Sequence, residues 1–158
     1  MLRLTVLEFF LRLIPESLLF TLGVYVFAHV RIEKSRYFAS SILLAIGIYL
    51  IRMLPIHFGI HTGIVIMLYI SLTTFLNKIP IKKAISASML WTITLSASES
   101  LNAYILNCLK LNMQSILNNP LAKVLYFTPS LIMFLLAILL ANILISKSEK
   151  EGSKNVFN

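Results

Sequence analysis

The sequence predicts an all-α fold, a polytopic transmembrane helical bundle of about five spanning helices with a short N-terminal interfacial helix. Three observations carry this expectation. Leu13–Val30, Tyr37–Leu54, Phe58–Leu76, Ala84–Leu109 and Leu121–Ile145 are apolar stretches that each approach or exceed the ~20 residues a spanning helix needs. Hydrophobic residues make up 58% of the 158 positions and charged ones 13%, too little polar surface to coat a water-soluble globule. Basic residues, 14 against 6 acidic, gather in the connectors between the apolar stretches. That distribution suits the positive-inside rule and anionic headgroups, and it argues against a nucleic-acid partner.

Taken in order, Met1–Leu13 alternates Leu and Phe with Arg3, Glu8 and Arg12, which predicts an amphipathic helix in the interface with its charges in water. Arg12 and Glu16 interrupt the following apolar core, so the segment does not read as a cleavable signal peptide. Pro55 and Pro80 punctuate the second-to-third and third-to-fourth junctions, and Asn118-Asn119-Pro120 breaks the chain before the fifth stretch. Residues 1–145 thus form one transmembrane domain and 146–158 a polar tail. If five helices alternate, Arg31, Lys34, Arg36, Lys78, Lys82, Lys83, Lys147, Lys150 and Lys154 share a side, against Arg3, Arg12, Arg52, Lys110 and Lys123 on the other. Nine against five predicts a multi-pass protein of the cell membrane, with the N-terminus outside and the C-terminus in the cytoplasm.

The fifth stretch holds fifteen Leu, Ile, Val or Phe residues and inserts unaided. The fourth has eight Leu or Ile and a central Glu99, whose cost of about 2.5–3.5 kcal/mol brings insertion close to neutral. It needs helix partners. Ala84, Ser88, Thr92, Ser96 and Ser100 recur every fourth residue, predicting a small-residue seam with Trp91 mostly off it. Cys108, the single cysteine, reads as a small buried apolar residue.

The candidate ligand-binding residues are Glu16, Arg52, His57, His61, Glu99 and Asn102. Counting turns along alternating helices places all six, with Thr128-Pro129-Ser130, in the outer half of the membrane. Intramembrane ionisable groups are costly and face a partner or a wet cavity, so Arg52 is expected to pair with Glu99 or Glu16. His57-xxx-His61 has a spacing that could put two imidazoles on one face, but no third ligand lies near in sequence, and no metal or other cofactor is expected. No HExxH, GxSxG, Walker A or paired-Cys motif is present, so no catalytic residue is assigned and the chain does not read as an enzyme.

The segments Ile14-Pro15-Glu16-Ser17-Leu18-Leu19, Tyr49 through His61 (YLIRMLPIHFGIH) and Asn77 through Ala84 (NKIPIKKA) resemble the membrane sensor region of Firmicute histidine kinases of the accessory-gene-regulator type, whose ATPase part is of the GHKL class. The resemblance covers Met1 to about Ile145. It implies quorum-sensing-like signal transduction: a domain that takes an extracellular signal, in some members a secreted peptide, and relays it to a cytoplasmic module. No histidine follows His61 and no glycine-rich ATP lid is present, so kinase activity is not implied. Membrane lipids, a protein partner or a second copy, and a peptide ligand are the expected partners. A small-molecule transporter subunit and a purely structural or assembly protein are the rival readings.

Overall fold

The computed structural model of the chain describes residues 6–54, 58–109 and 120–155. Five principal helices form a bundle, and no strand occurs among the described residues: α1 (Ile14–Ala28), α2 (Lys34–Met53), α3 (Phe58–Phe75), α4 (Ile81–Cys108) and α5 (Pro120–Asn155). Among the described residues, three helices are long and apolar enough to cross a membrane: Phe9–Ala28, Lys34–Met53 and Leu121–Lys147. Gly59–Phe75 is a shorter apolar helix. The chain is a membrane protein. Its many exposed large apolar side chains, Phe75, Met67, Ile93 and Leu125 among them, are what a bundle surrounded by lipid presents.

The first correction falls at the N-terminus. Val6–Glu8 is one helical turn and Phe9–Leu13 a π-helical one, and both run without a break into α1. From Val6 onward the segment is not a separate helix: Glu8 is 2% exposed and Leu13 1%, while Phe10 and Leu11 turn outward; the first five residues of the expected interfacial helix lie outside the described residues. Pro15 accounts for the wide turn. Its ring would collide with the carbonyl four residues back in a regular helix and it has no N–H to offer, and just before it the Ile14 N–H bonds Phe9 O, five residues back.

The helix ends follow local chemistry. α1 stops at His29, whose left-handed backbone (φ 54°) turns its N–H onto the carbonyls of Tyr25 and Val26. α2 stops at Leu54, forced into extended geometry (ψ 139°) by Pro55 behind it. A second left-handed residue, Lys78 (φ 53°), closes the α3 end, and Pro80 opens α4. α5 starts at Pro120, a first-turn position that loses nothing by lacking an N–H. It continues past Ile145 through the polar stretch to Asn155, so the expected tail is a prolongation of the last helix at least that far.

α1 is the hub. It packs on α2, α4 and α5, and α3 closes the ring between α2 and α4. Of the three long apolar helices it is the most buried. Phe20 of α1 stacks on Tyr69 of α3 at 3.5 Å, and Trp91 of α4 meets Phe134 of α5 edge-on at 5.9 Å. Gly23 lets α4 approach: a Cβ there would lie 2.9 Å from Trp91 Cε2. Trp91 is therefore in the seam, at 1% exposure, and not off it as its sequence neighbours suggested. The buried face of α4 is Ala84, Ala87, Ser88, Trp91, Leu95, Ser98, Asn102 and Leu106, whereas Ser96 and Ser100 are exposed. A strict four-residue ladder rotates about 40° per step on a helix of 3.6 residues per turn, so it leaves the contact face after two steps. Cys108 ends α4 exposed, not buried.

Candidate functional site

Glu8, Arg12 and Glu16 are spaced four apart, an alternation of charge that places them along one side of a continuous helix. In the bundle that side faces α4 and α5. Arg12 is its centre: Nη2 donates to Glu99 Oε1 of α4 at 2.5 Å, and Nε lies 4.0 Å from Glu16 Oε2. The guanidinium also sits over the Phe127 ring of α5, 4.9 Å from its centroid, a cation–π contact. One turn earlier, Glu8 Oε1 pairs with Lys123 Nζ of α5 at 2.6 Å, the two side chains 2% and 12% exposed. Three carboxylates and two cations from three helices thus form one cluster.

The cluster is unevenly satisfied. Arg12 Nε and Glu16 Oε2 are buried and have no hydrogen-bond partner among the described residues. Glu99 is the open side, its side chain 35% exposed against 4% for Glu16. Beside it, Asn102 is 2% exposed and donates Nδ2–H to the Tyr126 carbonyl of α5 at 2.9 Å. Pro129 lies in the same stretch of α5, where its missing N–H withdraws the donor that the neighbouring carbonyl, Leu125 O, would receive in a regular helix. Ser130 Oγ and Thr128 Oγ1 return hydrogen bonds to Phe127 O and Val124 O, each at 2.7 Å.

Of the six candidates, the structure brings Glu16 and Glu99 into the cluster with Asn102 beside them, and leaves Arg52 and His61 at the same end of the bundle but outside it. The expected pair between Arg52 and Glu99 does not form, because Arg12 occupies that place. Arg52 ends α2 exposed, with no ion pair among the described residues. The reason is reach: Arg12 points inward from the hub helix, whereas Arg52 lies on the outer surface of α2. His61 is half-buried in the first turns of α3, and His57 lies outside the described residues. No group of three or more His, Cys, Asp or Glu suited to a metal occurs among the described residues. Arg12, Glu8, Lys123 and Phe127 are site residues that the candidate set lacks. The signal for the first two was the Glu8/Arg12/Glu16 spacing, read as charges in the headgroup region and not as one buried stripe.

The opposite end holds a simpler polar set. Tyr25 Oη donates to Asn77 Oδ1 at 3.1 Å and Lys83 Nζ donates to Ala28 O at 2.9 Å, while Tyr37 Oη reaches from that end toward the middle and donates to Leu18 O at 3.0 Å. Between the two ends, the hydroxyls of Ser17, Thr21, Ser40 and Ser41 bond carbonyls of their own helices. Thr74 Oγ1, Ser88 Oγ and Trp91 Nε1 are buried exceptions without a hydrogen-bond partner among the described residues.

Comparison with known proteins finds no matching family model, no matching curated protein and no matching solved structure.

Proposed function

We propose that this chain is an integral-membrane, sensor-like domain that takes an extracellular ligand, a peptide in the leading form of the reading, at its charged end and relays the event to a cytoplasmic partner. The observation that carries the reading is the divided loyalty of Arg12. It serves Glu16 on its own helix and Glu99 on α4, leaves Nε and Glu16 Oε2 without hydrogen bonds, and meets the surroundings through a Glu99 that is a third exposed. A ligand bringing a cation or donor to Glu99, or an anion to Arg12, would redistribute these bonds and shift α4 against α1. Differential contact of that kind is what a ligand needs to move a two-state equilibrium. A seam serving assembly alone would be expected to leave fewer buried polar atoms unpaired.

The transporter reading needs a polar path through the bundle. Most of the hydroxyls between the two ends bond carbonyls of their own helices, which supports sensing over a polar path. The orientation rests on the nine-to-five bias of Lys and Arg, with all five helices crossing.

Two measurements test the proposal. Reporter fusions after Lys34, Lys83 and Ile145 should be cytoplasmic, and one near Asn118, which lies outside the described residues, external; a cytoplasmic Asn118 fusion would remove the external ligand site. Peptide fractions from the medium of the producing cells should shift the thermal stability of the purified wild type, with the shift lost in Glu99→Gln and Asn102→Ala variants that still fold. No shift with any fraction, together with polar substitutions that only prevent folding, would replace the sensor by the assembly reading.

A further inference from the structure

The charged end could take a ligand through Glu99 or through Arg12, and its unpaired atoms choose between the two. The Glu8–Lys123 pair is closed at 2.6 Å. One guanidinium, Arg12, is left between two carboxylates, Glu16 and Glu99. Arg52, at the same end, makes no ion pair with either of them among the described residues. Two buried atoms of this triad lack a hydrogen bond among the described residues, and they are complementary: Arg12 Nε is a donor and Glu16 Oε2 an acceptor, 4.0 Å apart. An N–H···O bond forms at about 2.9–3.0 Å, so roughly 1 Å of guanidinium travel would join them. The bond from Nη2 to Glu99 Oε1 at 2.5 Å ties the same guanidinium to α4 instead.

An anion arriving at Arg12 would set a third negative charge against that single guanidinium and leave Glu16 Oε2 without a donor. Access opposes it as well, because the Phe127 ring covers the guanidinium and the Arg12 side chain is 13% exposed, against 35% for Glu99. A cation at Glu99 has the opposite effect. It matches two carboxylates with two cations and releases the guanidinium toward Glu16, so that both orphaned atoms gain a charge-assisted bond. We propose that the charged end binds its ligand through a cationic N–H donor, a protonated amine in the simplest case, which takes Glu99 from Arg12 and lets Arg12 Nε close on Glu16 Oε2. The proposal names the ligand class of the sensor site and rests on that reading for what the binding signals, while the exchange of cations is measured by itself.

The test uses the full chain in a neutral detergent at fixed ionic strength and follows thermal unfolding by the fluorescence of Trp91, the only tryptophan. Three small ions are titrated: n-butylammonium, tetramethylammonium, which carries the charge without an N–H, and butyrate. Butylammonium should raise the Tm saturably and the other two should not. Glu99→Gln, which keeps an acceptor for Arg12, should abolish the shift. Glu16→Gln should raise the half-saturating butylammonium concentration about fivefold, the difference between a charge-assisted and a neutral hydrogen bond. Glu33→Gln, at the opposite end and paired there with Arg36, should leave the response intact. The proposal falls if tetramethylammonium acts as well as butylammonium, which is charge screening, if butyrate is the stabilising ion, or if Glu33→Gln weakens the response as much as Glu99→Gln. Should Glu99→Gln not fold, the comparison of the three ions on the wild type decides. Butylammonium without effect, while a peptide fraction from the medium still shifts the Tm, overturns the cation and leaves the sensor standing. A butylammonium response with no active fraction supports the cation site and removes the sensor.

Discussion

Replacing Arg12 by Met is the most informative perturbation of this bundle. The substitution keeps a long apolar stem and removes the guanidinium on which Glu16 and Glu99 converge. Breaking a buried ion pair from one side costs about 3–5 kcal/mol, because the partner is left as an uncompensated buried charge. Glu16, with its side chain 4% exposed, is such a partner, whereas Glu99, 35% exposed, is partly screened and adds little. Loss of the contact with Phe127 adds about 0.5–2 kcal/mol. Arg12→Met should therefore destabilise by at least 3 kcal/mol, and Arg12→Lys, a point charge able to serve one carboxylate well, by about 1.5–3 kcal/mol. If stranded charge is the cause, Arg12→Met with Glu16→Gln should be less damaging than the sum of the single changes, a coupling of about 0.5–3 kcal/mol. The assay is unfolding in mixed micelles of increasing sodium dodecyl sulfate, read from Trp91 fluorescence. The reasoning is refuted if Arg12→Met costs no more than Arg52→Met at the exposed end of α2, or if the Arg12 and Glu16 changes are additive.

Gly23→Ala places a Cβ against the Trp91 indole, an overpacking cost of about 1–3 kcal/mol set against a helix-propensity gain of about 1 kcal/mol; it should be neutral to mildly destabilising, become a net gain when combined with Trp91→Phe, and be followed by chemical unfolding read from backbone circular dichroism. Ser98→Leu should prevent assembly, measured as detergent-resistant yield, while Ser96→Leu on the exposed face should leave yield unchanged or raise it. Lys123→Met should cost about 3–5 kcal/mol, since it strands Glu8 at 2% exposure, and Lys123→Met with Glu8→Gln should recover part of that in the same micelle titration.

The helical architecture was legible because each apolar run is long and its breaks carry proline or left-handed turns, as at Pro55, Lys78 and Pro120. The gathering of Glu16, Glu99 and Asn102 at one end was legible too, since counting turns along antiparallel helices fixes depth without knowledge of packing. Lateral arrangement was not. Arg12 and Arg52 stand at the same end, and only the choice of α1 as hub decides which of them points inward. The π turn before Pro15 was a second hidden term: it carries the helix without a break from Glu8 to Ala28, where composition alone suggested an interfacial segment and then a span. On α4, drift turned the four-residue ladder by about 160° between Ala84 and Ser100, so a pattern plausible as spacing was not a face in three dimensions.

The hub position of α1 gives the proposed relay a physical route. The same helix holds Arg12 and Glu16 at one end and, at the other, Tyr25 bonded to Asn77 and the Ala28 carbonyl bonded to Lys83. Asn77 and Lys83 flank the connector between α3 and α4, one of the basic segments that the proposal places in the cytoplasm, so a displacement of α1 or α4 at the charged end would reach that connector through side chains already in contact. Close packing favours a shift of the whole helix over local yielding, because Phe20, Trp91 and Phe134 fill the middle with 1% exposure or less. A relay by this route predicts that Asn77→Ala, which removes the Tyr25 bond without touching the Arg12 cluster, leaves ligand-induced stabilisation in place and uncouples it from the cytoplasmic response. Persistence of both in Asn77→Ala would exclude the Tyr25–Asn77 contact as the route and leave the Lys83–Ala28 bond to carry it.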